Sequence, residues 1–242
     1  MKDPKKFAVG IGSYTNLNTE TICKIATAKS VLVPNKSREI TYRTNEYGFR
    51  LDPSVNRDTT KRAAFGCSQT LGVELEVELT WASLIGAANF GVAGSSIQTV
   101  ARLIEAWIPT SNVETVFVII PEGSRRELYS AEMNAYSNIH TNSLLQLSQM
   151  IYRTQITNLQ DSYAAIGRLC REYPEVNVLD EEQNQIIRKE CIERIQHACA
   201  GRELIMKDIN DLPEWDWGSR DGAHNGEVWN RKVAQLFERA IV

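Results

Sequence analysis

The apolar run at residues 116–120, Val-Phe-Val-Ile-Ile, constrains the fold of this chain more than any other stretch. Five consecutive apolar residues, β-branched or aromatic, predict a strand buried on both faces, as in the middle of a parallel sheet. Shorter apolar runs end at Phe65 and Phe90, another spans residues 204–206, and segments with helical periodicity separate them. This alternation predicts a three-layer α/β/α sandwich with a mainly parallel central sheet.

Apolar periodicity places the remaining elements. Helices are predicted over residues 75–85 around Trp81, 97–108, 143–171, 181–200 and 227–241, and a further strand over residues 176–179. Residues 121–142 and 208–223 are predicted as connections, because polar and turn-forming residues predominate there. In the last helix, the residues predicted to face the core are Val228, Val233, Leu236, Phe237 and Ala240.

Residues 1–43 do not follow this alternation and are predicted as an N-terminal arm or appendage. The α/β domain is predicted to span residues 44–242. Within the arm, residues 20–28 are predicted as a short helix, and residues 7–12, 30–34 and 40–42 as extended segments.

Composition excludes several classes of protein. The net charge of −3 and the pI of about 5.8 argue against a nucleic-acid partner. No apolar run reaches the length that spans a bilayer, which argues against a membrane protein. The basic N-terminus contains Pro4 and leads into only a brief apolar run, so it does not resemble a secretory signal. Five irregularly spaced cysteines favour free thiols and a cytoplasmic location.

A serine stands where the first core strand turns towards a helix. Gly66 follows the apolar run that ends at Phe65, Ser68 lies two residues later, and Gly72 precedes a helix-like pattern. A strand–turn–helix junction exposes a serine hydroxyl at the top of a sheet, and the helix N-terminus favours negative charge there. The alternative is that Ser68 is only the N-cap of that helix.

An acid and a base for Ser68 lie near the other end of the chain. Asp221 and His224 are three residues apart in one loop, just before the last helix. His224 is alternatively a surface residue at that helix N-terminus. Polar groups also follow the other predicted strands, with Gly94 after the second and Glu122 after the third. Because parallel strands end at one edge, these groups are predicted to converge there.

The same blocks resemble those of the SGNH (GDSL-type) hydrolases over roughly residues 44–242. The resemblance rests on Gly66-Cys67-Ser68-Gln69-Thr70-Leu71-Gly72, on Asn89-Phe90-Gly91-Val92-Ala93-Gly94-Ser95, on Asp221-Gly222-Ala223-His224, and on the lead-in at residues 42–50. It implies a flavodoxin-like sheet and ester hydrolysis through an acyl-enzyme. Ser68 is then the nucleophile, His224 the base, Asp221 the group that orients it, and the N–H groups of Ser68 and Gly94 part of the oxyanion hole.

The chain departs from the family at the block after the central strand. The family has Gly-x-Asn-Asp there, whereas this chain continues as Pro121-Glu122-Gly123-Ser124-Arg125-Arg126. One interpretation is that Ser124, Arg125 or Arg126 replaces the missing asparagine and binds an anionic intermediate or an acidic substrate. The other is that the arginines pair with Glu122 and Glu127 as a solvated charge cluster.

Two tryptophans precede the Asp221 loop. Trp215 and Trp217 are candidates to stack on a sugar ring, or to brace the loop by packing against the core. The sequence thus predicts an esterase acting on a small-molecule or glycan ester, such as an O-acetylated carbohydrate, with no metal and no organic cofactor. A homo-oligomer is left open. The rival prediction is a non-catalytic carbohydrate-binding or structural module with the same fold.

Overall fold

The computed structural model of the protein describes residues 23–25, 40–43, 47, 49–56, 59–73, 75–123, 125–130, 135–140, 181–216 and 224–241. The strands are β1 (Cys23–Ile25), β2 (Ile40–Tyr42), β3 (Arg62–Gly66), β4 (Ala88–Gly91), β5 (Thr115–Ile120), β6 (Arg125–Ser130), β7 (Ala135–His140) and β8 (Glu203–Asp208). The helices are α1 (Ser68–Leu71), α2 (Trp81–Leu84), α3 (Ile97–Trp107), α4 (Glu181–Ala198) and α5 (Glu227–Glu238).

Four parallel strands form the central sheet, in the order β4-β3-β5-β8. Ala63 pairs with Ala88 on one side and with Val116 on the other, and Val116 pairs with Leu204. Every residue of β5 is buried, as the apolar run predicts for a central strand. The carboxyl ends of all four strands therefore lie along one edge.

Alternating side chains divide the core into two layers. Phe65, Val116 and Val118 pack on one face of the sheet, in the cluster that includes residues of α3 and α4. Phe117 and Ile119 point to the opposite face, where the cluster includes residues of α2 and α5. Helices thus cover both faces, and the predicted α/β/α sandwich with a parallel sheet is confirmed.

The single helix predicted over residues 75–85 is wrong. A 3-10 turn at Val77–Leu79 is followed by the one-turn helix α2, and the backbone of Thr80 between them is extended, with ψ of 145°. The Thr80 hydroxyl accepts a hydrogen bond from the Ser83 N–H at 3.3 Å, so it caps α2 as a separate element. Trp81, the first residue of α2, is fully buried.

The connection predicted over residues 121–142 is also wrong, because β6 and β7 form an antiparallel hairpin within it. Its polar sequence hides the strands, since polar groups meet both faces of β6. Arg126 donates to the Asn184 side chain, and Glu127, which points the other way, pairs with Arg102.

The last helix is confirmed, but its predicted inner face is partly wrong. Val228 is 58% exposed, whereas the next residue, Trp229, is fully buried. The indole N–H of Trp229 donates to the carbonyl of Pro213 at 2.9 Å, which fixes this side chain inwards. Val233 and Phe237 are buried as predicted.

The N-terminal residues contain one further correction. Residues 23–25 form a strand rather than part of a helix, because they pair antiparallel with β2, and pairing overrides a weak local propensity. The elements predicted over residues 7–12, 30–34, 143–171 and 176–179 lie outside the described residues. Among the helices that are described, none has the length and apolarity needed to cross a membrane.

Candidate active site

Ser68 is the first residue of α1, directly after the end of β3. Cys67 between them has an extended backbone, with φ of −93° and ψ of −151°, and Ser68 is 8% exposed. A Cβ on Gly66 would lie 2.2 Å from the Thr70 hydroxyl oxygen, so the turn needs a glycine there. The predicted strand–turn–helix geometry is confirmed. Because α1 has only one turn, the dipole it brings to Ser68 is smaller than that of a full helix.

Glycine in β4 lets α1 lie directly against the sheet. A Cβ on Gly91 would be 2.2 Å from the backbone nitrogen of Leu71 and 2.7 Å from the carbonyl carbon of Thr70. The buried amide of Asn89 donates to the Thr70 carbonyl at 2.7 Å and accepts from the Gly91 N–H at 2.8 Å. These contacts fix the height of α1, and with it Ser68, above β4.

A buried arginine binds the other end of α1. Arg50 is 1% exposed, and its guanidinium donates to the carbonyls of Leu71 at 3.0 Å, Gly72 at 2.6 Å and Leu75 at 2.6 Å. Its charge also lies 4.4 Å from the ring centroid of Tyr42. A cation at a helix C-terminus satisfies carbonyls that have no partner within the helix. Arg50 thus stabilises the segment that carries Ser68.

The loop after β4 is joined to the Ser68 turn. The Gly66 carbonyl accepts from the Val92 N–H at 3.0 Å and from the Ser95 hydroxyl at 3.1 Å. Gly94 between them is exposed and has a φ of +72°, in the left-handed region that favours glycine. The structure therefore places Gly94 in a short turn beside the residue that precedes Cys67 and Ser68.

The segment that carries His224 also contacts this turn. The backbone N–H of Asn225 donates to Gln69 Oε1 at 3.4 Å, although the two residues are 156 positions apart. His224 itself is partly buried. The loop that begins after β8 therefore returns to the carboxyl edge of the sheet, as the sequence predicts. Asp221, Trp217 and Ser124 lie outside the described residues, and their roles stay predictions.

Asp216 holds the His224 segment to the start of α5. One carboxylate oxygen accepts from the Gly226 N–H at 2.6 Å, and the other accepts from the Trp229 N–H at 2.9 Å. The Asp216 N–H donates to Asn225 Oδ1 at 3.1 Å. A carboxylate at a helix N-terminus pairs with N–H groups that have no partner in the helix. Trp215, next to it, is partly buried and packs against the core.

The two candidate arginines after β5 differ in their surroundings. Arg126 is 4% exposed and contacts Asn184 of α4. Arg125 lies at the carboxyl edge, where Nη1 donates to the Ser95 carbonyl at 3.4 Å and Nη2 is 3.9 Å from Glu122 Oε2. Glu127 pairs with Arg102 instead of either. The expectation of one solvated cluster is therefore wrong for Glu127, whose side chain is 6% exposed.

Three cysteines, Cys67, Cys191 and Cys199, are free thiols placed away from solvent. Cys67 is 1% exposed, so it is a small buried residue beside Ser68. Cys191 and Cys199 lie in the α3–α4 layer, where burial raises the pKa of both thiols, that of Cys199 to about 11. Such thiols are poor nucleophiles near neutral pH. Within the described ranges, no group of three or more His, Cys, Asp or Glu residues could hold a metal ion.

An open groove of about 370 Å³ lies elsewhere, between α2 and α5. Its lining includes Arg231 and Glu238, and Glu238 pairs with Arg62 at the start of β3. The groove is therefore near the amino edge of the sheet, opposite to Ser68.

Several residues that hold this edge together were not found from the sequence. Arg50 and Gln69 lie inside the resembling blocks, but only their contacts reveal what they do. Asp216 lies between Trp215 and Trp217, and nothing local in the sequence reveals its role. It caps a helix ten residues further along the chain, beyond the spacing of a local capping pattern.

No protein-family model and no curated protein sequence matches the chain. Among solved structures, it is similar to a protein from Desulfitobacterium hafniense described as lipolytic and of the G-D-S-L family, at 12% identity and a TM-score of 0.35, over 75% of this chain and 100% of that one. It is also similar to a family 3 carbohydrate esterase from Clostridium thermocellum, at 17% identity and a TM-score of 0.33, over 74% and 92%.

Proposed function

We propose that this protein is a serine hydrolase that cleaves a carboxylic ester. Ser68 is the nucleophile, His224 the general base and Asp221 the group that orients the imidazole. The observation that carries the proposal is the hydrogen bond from the Asn225 N–H to Gln69 Oε1, at 3.4 Å. It joins the residue after His224 to the residue after Ser68, so two distant segments with complementary chemistry meet at one edge of the sheet.

The reaction follows from these roles. His224 accepts the Ser68 hydroxyl proton while Ser68 Oγ attacks the ester carbonyl carbon. The tetrahedral intermediate collapses, the carbon–oxygen bond to the alcohol breaks, and the alcohol leaves with the proton from His224. Water then attacks the acyl-enzyme and gives its proton to His224, which returns a proton to Ser68 as the carboxylic acid departs.

The backbone supplies the donors for the developing oxyanion. The N–H of Ser68 is at the first position of α1, where a helix provides no acceptor, and the Gly94 turn lies beside it. Two such donors are each worth about 3 kcal/mol of barrier in serine hydrolases. The acyl group we propose is acetyl on a carbohydrate alcohol, which rests on the resemblance of the sequence blocks.

Labelling with a fluorophosphonate tests the proposal directly, because the reagent modifies only an activated serine. We expect wild-type protein to be labelled at Ser68, and Ser68→Ala to be unlabelled. His224→Ala should react at least about 10³-fold more slowly, because the base is lost. Ser111→Ala and His197→Ala are matched controls, since Ser111 precedes β5 at the amino edge and His197 lies near the end of α4.

The same experiment distinguishes the hydrolase from the rival function, a non-catalytic module. A folded protein that is not labelled, or that is labelled equally after His224→Ala, would contradict the hydrolase and favour a non-catalytic module. The hairpin that replaces the family's third block is the observation that favours that module. Circular dichroism of each variant shows whether a loss of labelling reflects unfolding instead.

A further inference from the structure

We propose that Arg125 is a specificity-determining residue that binds an anionic group, a carboxylate or a phosphate, on the alcohol portion of the ester. This inference rests on the proposed hydrolase function and names its substrate class. It starts from the position of Arg125 as the first residue of β6, five residues after the end of β5. The short connection keeps the guanidinium at the carboxyl edge of the sheet, where Ser68 and Gly94 also lie.

The hairpin that carries Arg125 is fixed to α3 by buried polar contacts. Arg102 donates to both carboxylate oxygens of Glu127, at 2.9 Å and 2.6 Å, and Thr99 donates to the same carboxylate at 2.8 Å. Asn138 of β7 accepts from the Ser96 N–H at 3.0 Å, at the start of α3. A buried ion pair and these charge-assisted and neutral hydrogen bonds hold the hairpin in one position. Arg125 is thereby presented from a rigid element.

Strand alternation aims Arg125 towards the Ser68 turn. Residues 125 and 127 share one face of β6, the face that meets the start of α3, and residue 126 points the other way. The Arg125 guanidinium accordingly reaches the Ser95 carbonyl at 3.4 Å, and the Ser95 hydroxyl donates to the Gly66 carbonyl at 3.1 Å. Two contacts thus connect Arg125 to the residue that begins the turn to Ser68.

The other arginines described at this edge are paired with a carboxylate or buried against another side chain. Arg102 is paired with Glu127, and Arg188 of α4 is paired with Asp208 at the end of β8. Arg126 is buried against Asn184.

Arg125 differs because its contacts with the Ser95 carbonyl and Glu122 are long, so its guanidinium remains accessible to an anion. Its side chain is 19% exposed, and its carboxylate neighbour Glu122 is 3.9 Å away and 44% exposed. An ion pair so long and so open to water contributes little, and a substrate anion can displace it. A guanidinium offers parallel N–H donors that match a carboxylate or a phosphate.

A pair of esters that differ only in charge tests the inference. O-acetylated glucuronic acid and O-acetylated glucuronamide carry the same acetyl group and nearly the same shape, and acetate release measures kcat/KM for each. Wild-type enzyme should prefer the acid by about 10- to 100-fold, the effect of one charge-assisted hydrogen-bonded pair. Arg125→Gln should abolish that preference through a raised KM for the acid. Arg125→Lys, which keeps the charge but not the parallel N–H donors of the guanidinium, should retain part of the preference for the acid.

Controls separate this inference from the hydrolase proposal. Arg239→Gln removes an exposed arginine after α5, on the amino-edge side, and should leave the acid-to-amide ratio unchanged. Equal turnover of both esters by wild type overturns the role of Arg125 while Ser68-dependent hydrolysis stands. An acid-to-amide ratio of kcat/KM that is unchanged by Arg125→Gln also overturns the role of Arg125. An equal fall in kcat/KM for both esters overturns it as well, because Arg125 would then stabilise the oxyanion instead.

If both esters react too slowly, protection of Ser68 from fluorophosphonate gives the same comparison with glucuronate and glucuronamide. Glucuronate should slow the labelling more than glucuronamide does in wild type, and equally in Arg125→Gln. Inorganic phosphate at constant ionic strength distinguishes a phosphate site from a carboxylate site. Protection that is equal for every probe in wild type refutes the inference, whereas absence of labelling refutes the hydrolase itself.

Discussion

Replacing Gly91 with alanine should displace the turn that carries Ser68 without changing Ser68 itself. The new Cβ would lie 2.2 Å from the Leu71 nitrogen, 2.7 Å from the Thr70 carbonyl carbon and 2.8 Å from the Leu71 Cα. All three are backbone atoms, so no side chain can rotate away. To restore an ordinary contact of 3.4 Å, α1 and β4 must separate by about 1.2 Å, the difference between the two distances.

The energetic cost has two parts. Overpacking of this kind costs about 1–3 kcal/mol. The separation also stretches the buried bond from Asn89 Nδ2 to the Thr70 carbonyl, now 2.7 Å, which adds about 1 kcal/mol. We therefore expect the free energy of unfolding to fall by about 2–4 kcal/mol in a urea titration.

The rate of Ser68 labelling should fall by more than the loss of folded protein alone would explain. A shift of about 1 Å at a reacting group can cost about 10²-fold in rate, so fluorophosphonate labelling of the folded variant should slow by that order. Gly123→Ala is the matched control, because a Cβ there meets no atom within 4 Å and no left-handed φ is required. If the free energy of unfolding of Gly91→Ala is within about 1 kcal/mol of the wild-type value and Ser68 is labelled at the wild-type rate, the close packing of α1 on β4 does not position Ser68.

The remaining predictions concern the Asp216 cap and the buried thiols. Asp216→Ala should lower the free energy of unfolding by about 1–2 kcal/mol and slow Ser68 labelling, because the carboxylate caps α5 and holds the His224 segment. Asp211→Ala, at an exposed position of the same loop, should do neither, and an equal effect of both would contradict the cap. At pH 8, the Cys199 thiol should react with iodoacetamide far more slowly than in urea, because a pKa of about 11 leaves only about one thiolate in a thousand. Because the pKa of Cys199 in the folded protein lies above its ordinary value of 9.0, the contribution of this thiol to stability is intact below pH 9 and is lost as the pH rises towards 11. Peptide mapping measures the alkylation of Cys199, and urea titrations at several pH values measure the loss of stability.

The sheet was predictable because its strands carry their own evidence. The apolar run in β5 and the runs that end near Phe65 and Phe90 stand where the strands are, and the parallel topology brings their carboxyl ends together. A buried strand must be apolar on both faces, so its sequence shows it directly.

Elements stabilised by polar or long-range contacts were not predictable in this way. The β6–β7 hairpin has polar partners on both faces of β6, so its sequence resembles a loop. The helix predicted over residues 75–85 fails because Thr80 caps a second, separate helix. The sequence predicts Val228 inside instead of Trp229, because the Pro213 contact that fixes Trp229 is distant in sequence. The joint from Asn225 to Gln69 likewise exists only in three dimensions.

The hydrogen bonds from Arg50 to the end of α1 have a consequence for any attempt to shorten the chain. Arg50 binds the carbonyls of Leu71 at the end of α1, of Gly72 at its C-cap and of Leu75 just beyond. Its charge lies against the ring of Tyr42 in β2, which pairs with β1. A truncated version that starts at residue 44 would keep all four strands of the central sheet but lose the Tyr42 ring that lies against that guanidinium. A shortened version of the protein should therefore begin upstream of β2.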